Sequence, residues 1–254
     1  MEKKDLSSRI QFLLKKKKII KPDIIYCASF DIGKKNFSFY IESFSVSELE
    51  KIKNIPKINR YNADGTATNE MKEILQKVYL NGETVLHCNL DLTKNCNKAE
   101  ILDSETYHNM VSALDDYKEQ LDLCSFIIIE RQMSFGKKMN LMAVKLAQHC
   151  YSYFVMRYGR EKTVIEFDAF HKTQVLGAPK IGGKTCKNGK VKYKAMSQIQ
   201  RKKWAVTRAL EILEERNDVE AISNIQKAKK KDDFCDSFLQ LQAAKYLIWT
   251  EKCY

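Results

Sequence analysis

Residues 24–36 read IIYCASFDIGKKN, an almost continuously apolar run that carries one aspartate, Asp31, just before a glycine. An apolar run of this length predicts a buried central strand from Ile24 to Ile32. Residues 33–36 predict a tight turn, and Phe37 to Phe44 predicts the second strand of a hairpin. A carboxylate at the end of a buried strand is costly unless a partner compensates its charge, which makes Asp31 the first candidate functional residue.

The remaining pattern adds three strands and several helices. Residues 45–82 predict an insertion in the meander, with helices at Leu49 to Ile58 and Glu70 to Val78. Further strands are predicted at Val85 to Leu92, Ser125 to Glu130 and Thr163 to Phe167. Helices are predicted at Ser104 to Leu121, Lys138 to Tyr158, Ala195 to Glu215 and Asp232 to Trp249. Ser104 is the predicted N-cap of the first of these helices, and Gly159 is the predicted C′ residue of the second. The order predicts an α/β fold with a mixed five-stranded sheet, a three-strand antiparallel meander plus two parallel strands, flanked by helices.

The basic composition of the chain favours a protein that binds polyanions. The 254 residues predict one domain, 23–254, preceded by a basic N-terminal arm at 1–22. A formal net charge of +12 attracts nucleic acid first and anionic membrane second, although a soluble basic protein without such a partner would look the same. No stretch approaches the roughly 20 apolar residues of a membrane helix. The eight cysteines include no Cys-x-x-Cys pair, which argues against zinc and suits a reducing compartment.

Further acidic residues lie at two other places. Glu130 ends the apolar run FIIIE, and Asp232, Asp233 and Asp236 lie within KDDFCDSF at a predicted helix start. Each has an ordinary structural explanation: turn chemistry for Asp31, an exposed strand end for Glu130, and a complement to the helix dipole for the aspartates. Residues three or four apart share a helical face, however, where like charges repel unless a cation lies between them.

These three segments resemble one family. Residues 29–36, 127–132 and 231–239 are similar to the RuvC-like Holliday-junction resolvases of the RNase H-like superfamily, above all to the poxvirus-type resolvases of large cytoplasmic DNA viruses and also to the fungal mitochondrial ones. The resemblance implies an RNase H-like sheet and a nuclease of DNA recombination and repair. It assigns the catalytic and metal-binding roles to Asp31, Glu130, Asp233 and Asp236, with Asp232 as an alternative to Asp233.

The resemblance also implies a cofactor, a substrate and an assembly. Two Mg²⁺ ions per active site, for which Mn²⁺ can substitute, would be held by carboxylate oxygens, and no small-molecule cofactor is implied. The expected reaction is paired hydrolysis of a four-way junction, leaving 5′-phosphates and 3′-hydroxyls. A junction has two-fold symmetry, so we expect a homodimer with two active sites.

A basic segment supports a DNA partner. Residues 171–210 contain eleven lysines and arginines and no acidic residue, a distribution that phosphate binding explains and that a solvated charged surface would also permit. Within this segment residues 180–194 depart from the family's compact members and predict a basic insertion. We predict DNA contacts from Lys34, Lys35, Arg131, Gln132, Lys137, Lys172, Lys194, Arg201, Lys202 and Lys203, with Lys172 or Lys203 nearest the scissile phosphate.

Two other functions remain open from the sequence. An RNase H-like nuclease acting on RNA–DNA hybrids or flaps would carry the same acids, and a DNA-binding factor with a decayed site would carry the same basic segment. The resemblance implies an intracellular protein without a membrane partner: the host cytoplasm or the virion if the chain is viral, and the mitochondrion otherwise. Glu2, Asp5 and Asp23 depart from the acid-free pattern of a mitochondrial presequence.

Overall fold

The computed structural model describes residues 23–96, 102–132, 139–183, 185, 189 and 191–251. Five strands form one sheet: β1 (Ile24–Asp31), β2 (Phe37–Ser45), β3 (Glu83–Leu90), β4 (Cys124–Arg131) and β5 (Thr163–Asp168). Their order across the sheet is β3-β2-β1-β4-β5. β2 pairs antiparallel with both β1 and β3, whereas β4 pairs parallel with β1 and with β5. The predicted mixed five-stranded sheet, a three-strand antiparallel meander plus two parallel strands, is therefore confirmed.

Helices connect and cover the strands. They are α1 (Val46–Lys51), α2 (Asn69–Leu80), α3 (Ser104–Asp116), α4 (Lys118–Leu123), α5 (Leu141–Tyr158), α6 (Phe170–Val175), α7 (Gln198–Glu215), α8 (Val219–Lys227) and α9 (Lys231–Lys245), with a 3₁₀ turn at Lys57–Asn59 and a π-helical turn at Tyr246–Thr250. None of the helices in the described part of the chain combines the length and the apolar character that crossing a bilayer requires.

Two apolar cores lie on opposite faces of the sheet. In β1, Ile25 and Cys27 belong to the core shared with α2, α7, α8 and α9, and Ala28 and Phe30 belong to the core shared with α3, α4 and α5. This division follows from the period of two along a strand. Every residue of α9 from Ser237 to Lys245 is buried, so α9 is the central helix of its layer.

Several predicted helix bounds are wrong, for local reasons. The helix predicted at Leu49 to Ile58 is instead α1, which ends at Lys51 because Ile52 has an extended backbone. Pro56 also disfavours helical backbone at Ile55, so the α-helix does not resume before Ile58. Ser104 is not the N-cap of α3, because the Asp103 side chain accepts the Thr106 N–H at 3.1 Å. The helix predicted at Ser104 to Leu121 is interrupted at Tyr117, which separates α3 from α4.

Later helices differ in a similar way. Ser197 and Gln200 form a capping box, so α7 starts three residues after the predicted Ala195. The last predicted helix changes to a π-helical turn at Tyr246, and α6 and α8 were not predicted. The helix predicted from Lys138 begins at Leu141, because the Asn140 side chain caps it. Lys138 itself, the basic arm at 1–22 and part of the insertion predicted at 180–194 lie outside the described residues.

A buried ionic cluster holds the C-terminal half of α9 against the sheet. Glu42 of β2 is fully buried and forms ion pairs with Lys245 and with Arg216, whose Nη1 lies 3.0 Å from Glu42 Oε2. The Gln242 amide donates to the same carboxylate at 2.7 Å. Buried charges require partners of this kind, so the cluster fixes how α9 sits on β2.

Candidate active site

Asp31 and Glu130 end neighbouring strands of the sheet. β1 and β4 are parallel and Phe30 pairs with Ile129, so the next residues along the two strands, Asp31 and Glu130, are neighbours as well. Asp31 lies two residues after Ser29, whose hydroxyl accepts a hydrogen bond from α9, and alternation along the strand places Asp31 on that same face. The fold therefore brings together two carboxylates that are 99 positions apart in the sequence.

The start of α9 adds two more carboxylates opposite these strand ends. Asp233 and Asp236 are three residues apart and share one face of the helix. Burial raises the pKa of Asp233, and the neighbouring charge of Asp232 raises it further. With its amide in the orientation that satisfies both ends, Asn36 donates to Asp233 Oδ2 at 3.2 Å, which connects the turn after β1 to α9.

Lys172 of α6 lies between the carboxylates. Its Nζ donates to Glu130 Oε2 at 2.8 Å and to Asp236 Oδ1 at 3.1 Å, and the residue is buried. Burial lowers the pKa of this ammonium, but Asp236 and Glu130 outweigh burial and hold the pKa above its ordinary value. Lys172 is therefore a fixed positive charge that joins β4 to α9.

Asp31 experiences the repulsion of the cluster most strongly. Burial raises its pKa well above the ordinary range, and the charge of Glu130 raises it further, whereas Lys172 acts in the opposite direction. Asp236 and Asp233 also raise the pKa of Asp31. One ammonium does not neutralise a group of carboxylates, so the site retains an attraction for a further cation.

The donor set fits a hard divalent cation. Its oxygens come from carboxylates alone, the ligands that Mg²⁺ prefers. Within the described ranges, no group of three or more His, Cys, Asp or Glu side chains is arranged to hold a metal ion, and the Lys172 ammonium lies between Glu130 and Asp236. A metal ion at this site would therefore compete with the Lys172 ammonium for these two carboxylates.

A row of hydrogen bonds next to the carboxylates connects α9 to the sheet. The Gln240 Nε2 donates to Ser29 Oγ at 3.0 Å and to the Phe30 carbonyl at 3.2 Å. The Ser237 and Ser38 hydroxyls lie 3.0 Å apart. At the outer strand, His87 Nε2 lies 2.9 Å from the Phe234 carbonyl, and burial lowers the pKa of this imidazole to about 4.

The predicted DNA-contacting residues divide into three groups. Lys35, Lys194, Arg201 and Lys203 are exposed, and Gln132 is partly exposed. Lys202 pairs with Asp232, and Arg131 pairs with Asp168 at 3.0 Å and with Glu166 at 3.5 Å, so their charges are partly neutralised. Lys34 and Lys172 are buried, Lys137 lies outside the described residues, and the DNA contacts of all three stay predictions.

Sequence reasoning missed two parts of the site. Lys172 was assigned to DNA, whereas its ammonium is bonded to two of the predicted catalytic carboxylates. Gln240 was not singled out, although a glutamine seven positions after Asp233 lies on the same helical face and is a detectable signal. Asp232 was kept as an alternative ligand, and its ion pair with Lys202 is the contact that the structure gives it.

Known proteins similar to this chain include a viral relative and two solved resolvases; no protein-family model matches. The uncharacterized protein 170L of Invertebrate iridescent virus 6 is 34% identical over 244 residues, covering 90% of this chain and 92% of that protein. The fowlpox virus resolvase, solved with Holliday junction DNA, is 17% identical with a TM-score of 0.46, covering 88% of this chain and 97% of that one. The yeast mitochondrial Holliday junction resolvase is 14% identical with a TM-score of 0.49, covering 97% and 88%. Given 34% identity along nine-tenths of both sequences, the chain belongs to the family of the iridescent virus protein 170L.

Proposed function

We propose that this protein is a metal-dependent endonuclease that resolves four-way DNA junctions. The observation that carries the proposal is the convergence of Glu130 and Asp236 on the buried Lys172 ammonium, with Asp31 close enough to be repelled by both acids. Partly buried like charges destabilise a fold, so a cluster of them on three separate elements is better explained by chemistry than by structure. The resemblance of the same three segments to RuvC-like resolvases supports the same function.

The side chains suit phosphodiester hydrolysis. Asp31, Glu130, Asp233 and Asp236 would hold Mg²⁺, which would lower the pKa of an attacking water and stabilise the charge on the leaving 3′-oxygen. Lys172 presents a permanent positive charge to the same space, where it can contact a non-bridging oxygen of the scissile phosphate. Asp233 is held by Asn36 and Asp236 by Lys172, so the chain itself orients the acids of α9.

Exposed cations beside the site would bind the arms of the junction. Lys35 lies in the turn between β1 and β2. Arg201 and Lys203 lie in the first two turns of α7, whose Lys202 is already bonded to Asp232 at the start of α9. This contact places the basic end of α7 next to the acidic end of α9. Phosphates bound along α7 would thus bring a strand to the carboxylates.

A second copy of the chain would supply the second cut. The helix α5 leaves apolar side chains exposed, among them Leu141 and Val155, and Met156 is 85% exposed. Apolar residues on one helix are suited to packing against the same helix of another subunit, and a two-fold dimer matches the symmetry of a junction. We therefore propose α5 as the dimer helix.

Incubation with a synthetic mobile junction and Mg²⁺ tests the function. We expect paired, ligatable nicks in strands of the same polarity, no cleavage of a linear duplex with the same arm sequences, and no cleavage after chelation. Preference for an RNA–DNA hybrid would instead identify an RNase H-like nuclease. Binding of the junction without cleavage in Mg²⁺ or Mn²⁺ would identify a DNA-binding factor, and either result contradicts the proposal.

Junction affinity should also depend steeply on salt. Each phosphate neutralised by a cation contributes about −0.9 to the slope of log affinity against log salt. We expect the double substitution Arg201→Gln with Lys203→Gln to reduce the magnitude of the slope by about 2, because it removes two such contacts. Fluorescence anisotropy between low and moderate salt measures the slope, with an uncleaved junction in a chelating buffer.

The matched control for this measurement is Lys72→Gln. Lys72 is exposed in α2, and α2 contacts the opposite end of α7 through Gln76 and Glu215. An 18-residue helix is about 27 Å long, so this lysine is far from the basic end of α7. An equal change of slope in the control, or no salt dependence in the unmodified protein, contradicts the assignment.

A further inference from the structure

One buried glutamine joins the helix that carries two of the carboxylates to the strand that carries a third. Gln240 is fully buried in α9, and its Nε2 donates to Ser29 Oγ at 3.0 Å and to the Phe30 carbonyl at 3.2 Å. Phe30 is the residue directly before Asp31. Asp233, Asp236 and Gln240 are spaced three, four and seven residues apart, which places them on one face of the helix.

Gln240 is energetically unfavourable at this buried position. Its Oε1 is buried and has no hydrogen-bond partner among the described residues. A buried acceptor without a donor costs about 1–3 kcal/mol. The neighbouring positions Leu239 and Leu241 are fully buried and apolar, so an apolar residue of similar length, with an apolar partner at position 29, would pack in the same layer without this cost. A stabilising role alone therefore does not explain the glutamine.

The contact lies where small displacements matter most. Asp31 is one residue beyond the bonded carbonyl, and Asp236 is four residues, or about 6 Å along the helix axis, before Gln240. Among the described residues, two other polar links join α9 to the β1–β2 hairpin near this level: Asp233 bonds to Asn36 in the turn after β1, and Ser237 bonds to Ser38 of β2. Gln240 is thus the side chain that bonds α9 to the strand β1 itself beside the carboxylates.

We propose that Gln240 is a positioning residue of the active site, which holds Asp31 at the spacing from Asp233 and Asp236 that a divalent cation requires. The inference rests on the proposed nuclease function. Ligand distances in metal sites tolerate only about 0.2 Å, and residues that orient the ligands typically contribute 10–100-fold to metal affinity. Gln240 contacts neither metal nor DNA in this role, because it acts through the backbone of β1.

Two variants separate positioning from stability. Gln240→Met removes the amide and keeps the volume, but it leaves the buried Ser29 hydroxyl without the Gln240 donor, so we expect it to be destabilised. The double substitution Ser29→Ala with Gln240→Met removes both polar partners, which is nearly neutral for stability. We expect both variants to bind Mn²⁺ about 10–100-fold more weakly than the unmodified protein. Both should need correspondingly more Mg²⁺ for half-maximal junction cleavage.

Three measurements on the full chain decide the question. Thermal unfolding in chelator measures stability. Titration of the metal-free protein with Mn²⁺ alone measures metal affinity, read from the electron paramagnetic resonance signal of the free ion. Cleavage measured over a range of Mg²⁺ concentrations gives the concentration at which the rate is half-maximal. Ile225→Val is the stability control. Ile225 is a fully buried residue of α8, so this substitution should lower the free energy of unfolding by about 0.5–1.5 kcal/mol and leave the metal affinity of the protein unchanged.

The outcomes distinguish this inference from the proposed function. If the double variant recovers both stability and metal affinity, Gln240 has only a structural role and the inference is wrong. If Gln240→Met binds Mn²⁺ as tightly as the unmodified protein, the inference is also wrong while the nuclease function stands. If the unmodified protein neither binds Mn²⁺ nor cleaves a junction, the proposed function itself has failed.

Discussion

Asp31→Asn should abolish junction cleavage, by about 10³-fold or more, because it removes the central carboxylate ligand from the site. DNA binding should be unchanged or tighter, since one negative charge facing the phosphates is lost. The metal-free protein should also become more stable, because Asp31 is repelled by Glu130 and by the acids of α9. Cleavage assays, anisotropy and thermal unfolding in chelator measure the three effects.

Asp91→Asn is the matched control for this substitution. Asp91 also follows the end of a strand, but it is exposed and its Oδ1 accepts the Thr93 N–H at 2.8 Å within a local turn. We expect this variant to cleave normally. Full activity in Asp31→Asn, or a loss of junction binding equal to the loss of cleavage, would show that Asp31 has no role in the chemistry.

Lys172→Met should destabilise the metal-free protein by about 3–5 kcal/mol, the usual effect of removing one partner from a buried ionic group. The ammonium is bonded to both Glu130 and Asp236, and its loss leaves these carboxylates to repel each other and Asp31. For a domain of this size we expect Tm in chelator to fall by at least about 6 °C. Cleavage should fall as well, because the phosphate loses a fixed positive charge.

Divalent metal should restore much of the stability lost in this variant. A cation that binds only the folded state stabilises it in proportion to its affinity, and without Lys172 it no longer competes with an ammonium. We therefore expect a larger rise of Tm with Mg²⁺ in Lys172→Met than in the unmodified protein. Lys172→Arg keeps the charge and is the control. A Lys172→Met protein that is as stable as the unmodified one in chelator would refute the ionic role.

The strands and the catalytic candidates were accessible from the sequence. Buried strands appear as apolar runs, so β1 and β4 were found with bounds close to those observed, and the acids at their ends were conspicuous against that background. Helix ends were less accessible. Whether Asp103 or Ser104 caps α3, or where a helix before Pro56 stops, depends on single side-chain hydrogen bonds and backbone angles that patterning does not contain.

Which lysines are buried and which are exposed could not be predicted from the sequence. Lys34 and Lys35 are adjacent, yet one is buried and the other exposed, and Lys172 looks like any residue of the basic segment. The aliphatic part of a lysine side chain can lie in the core or at the surface, so whether a lysine is buried depends on which residues the fold places beside it. Here Glu130 and Asp236, 42 positions before and 64 positions after Lys172, made burial of its ammonium favourable.

The sequence by itself determined the order and type of the strands, the excess of basic charge and the identity of the acidic residues, because these depend on local composition and period. The tertiary structure decided which acids face one another, which cation lies between them, and that Gln240 joins α9 to the peptide before Asp31. The physical reason is range: burial and electrostatic interaction depend on distances in space between residues far apart in the chain, whereas propensity and periodicity act between neighbours.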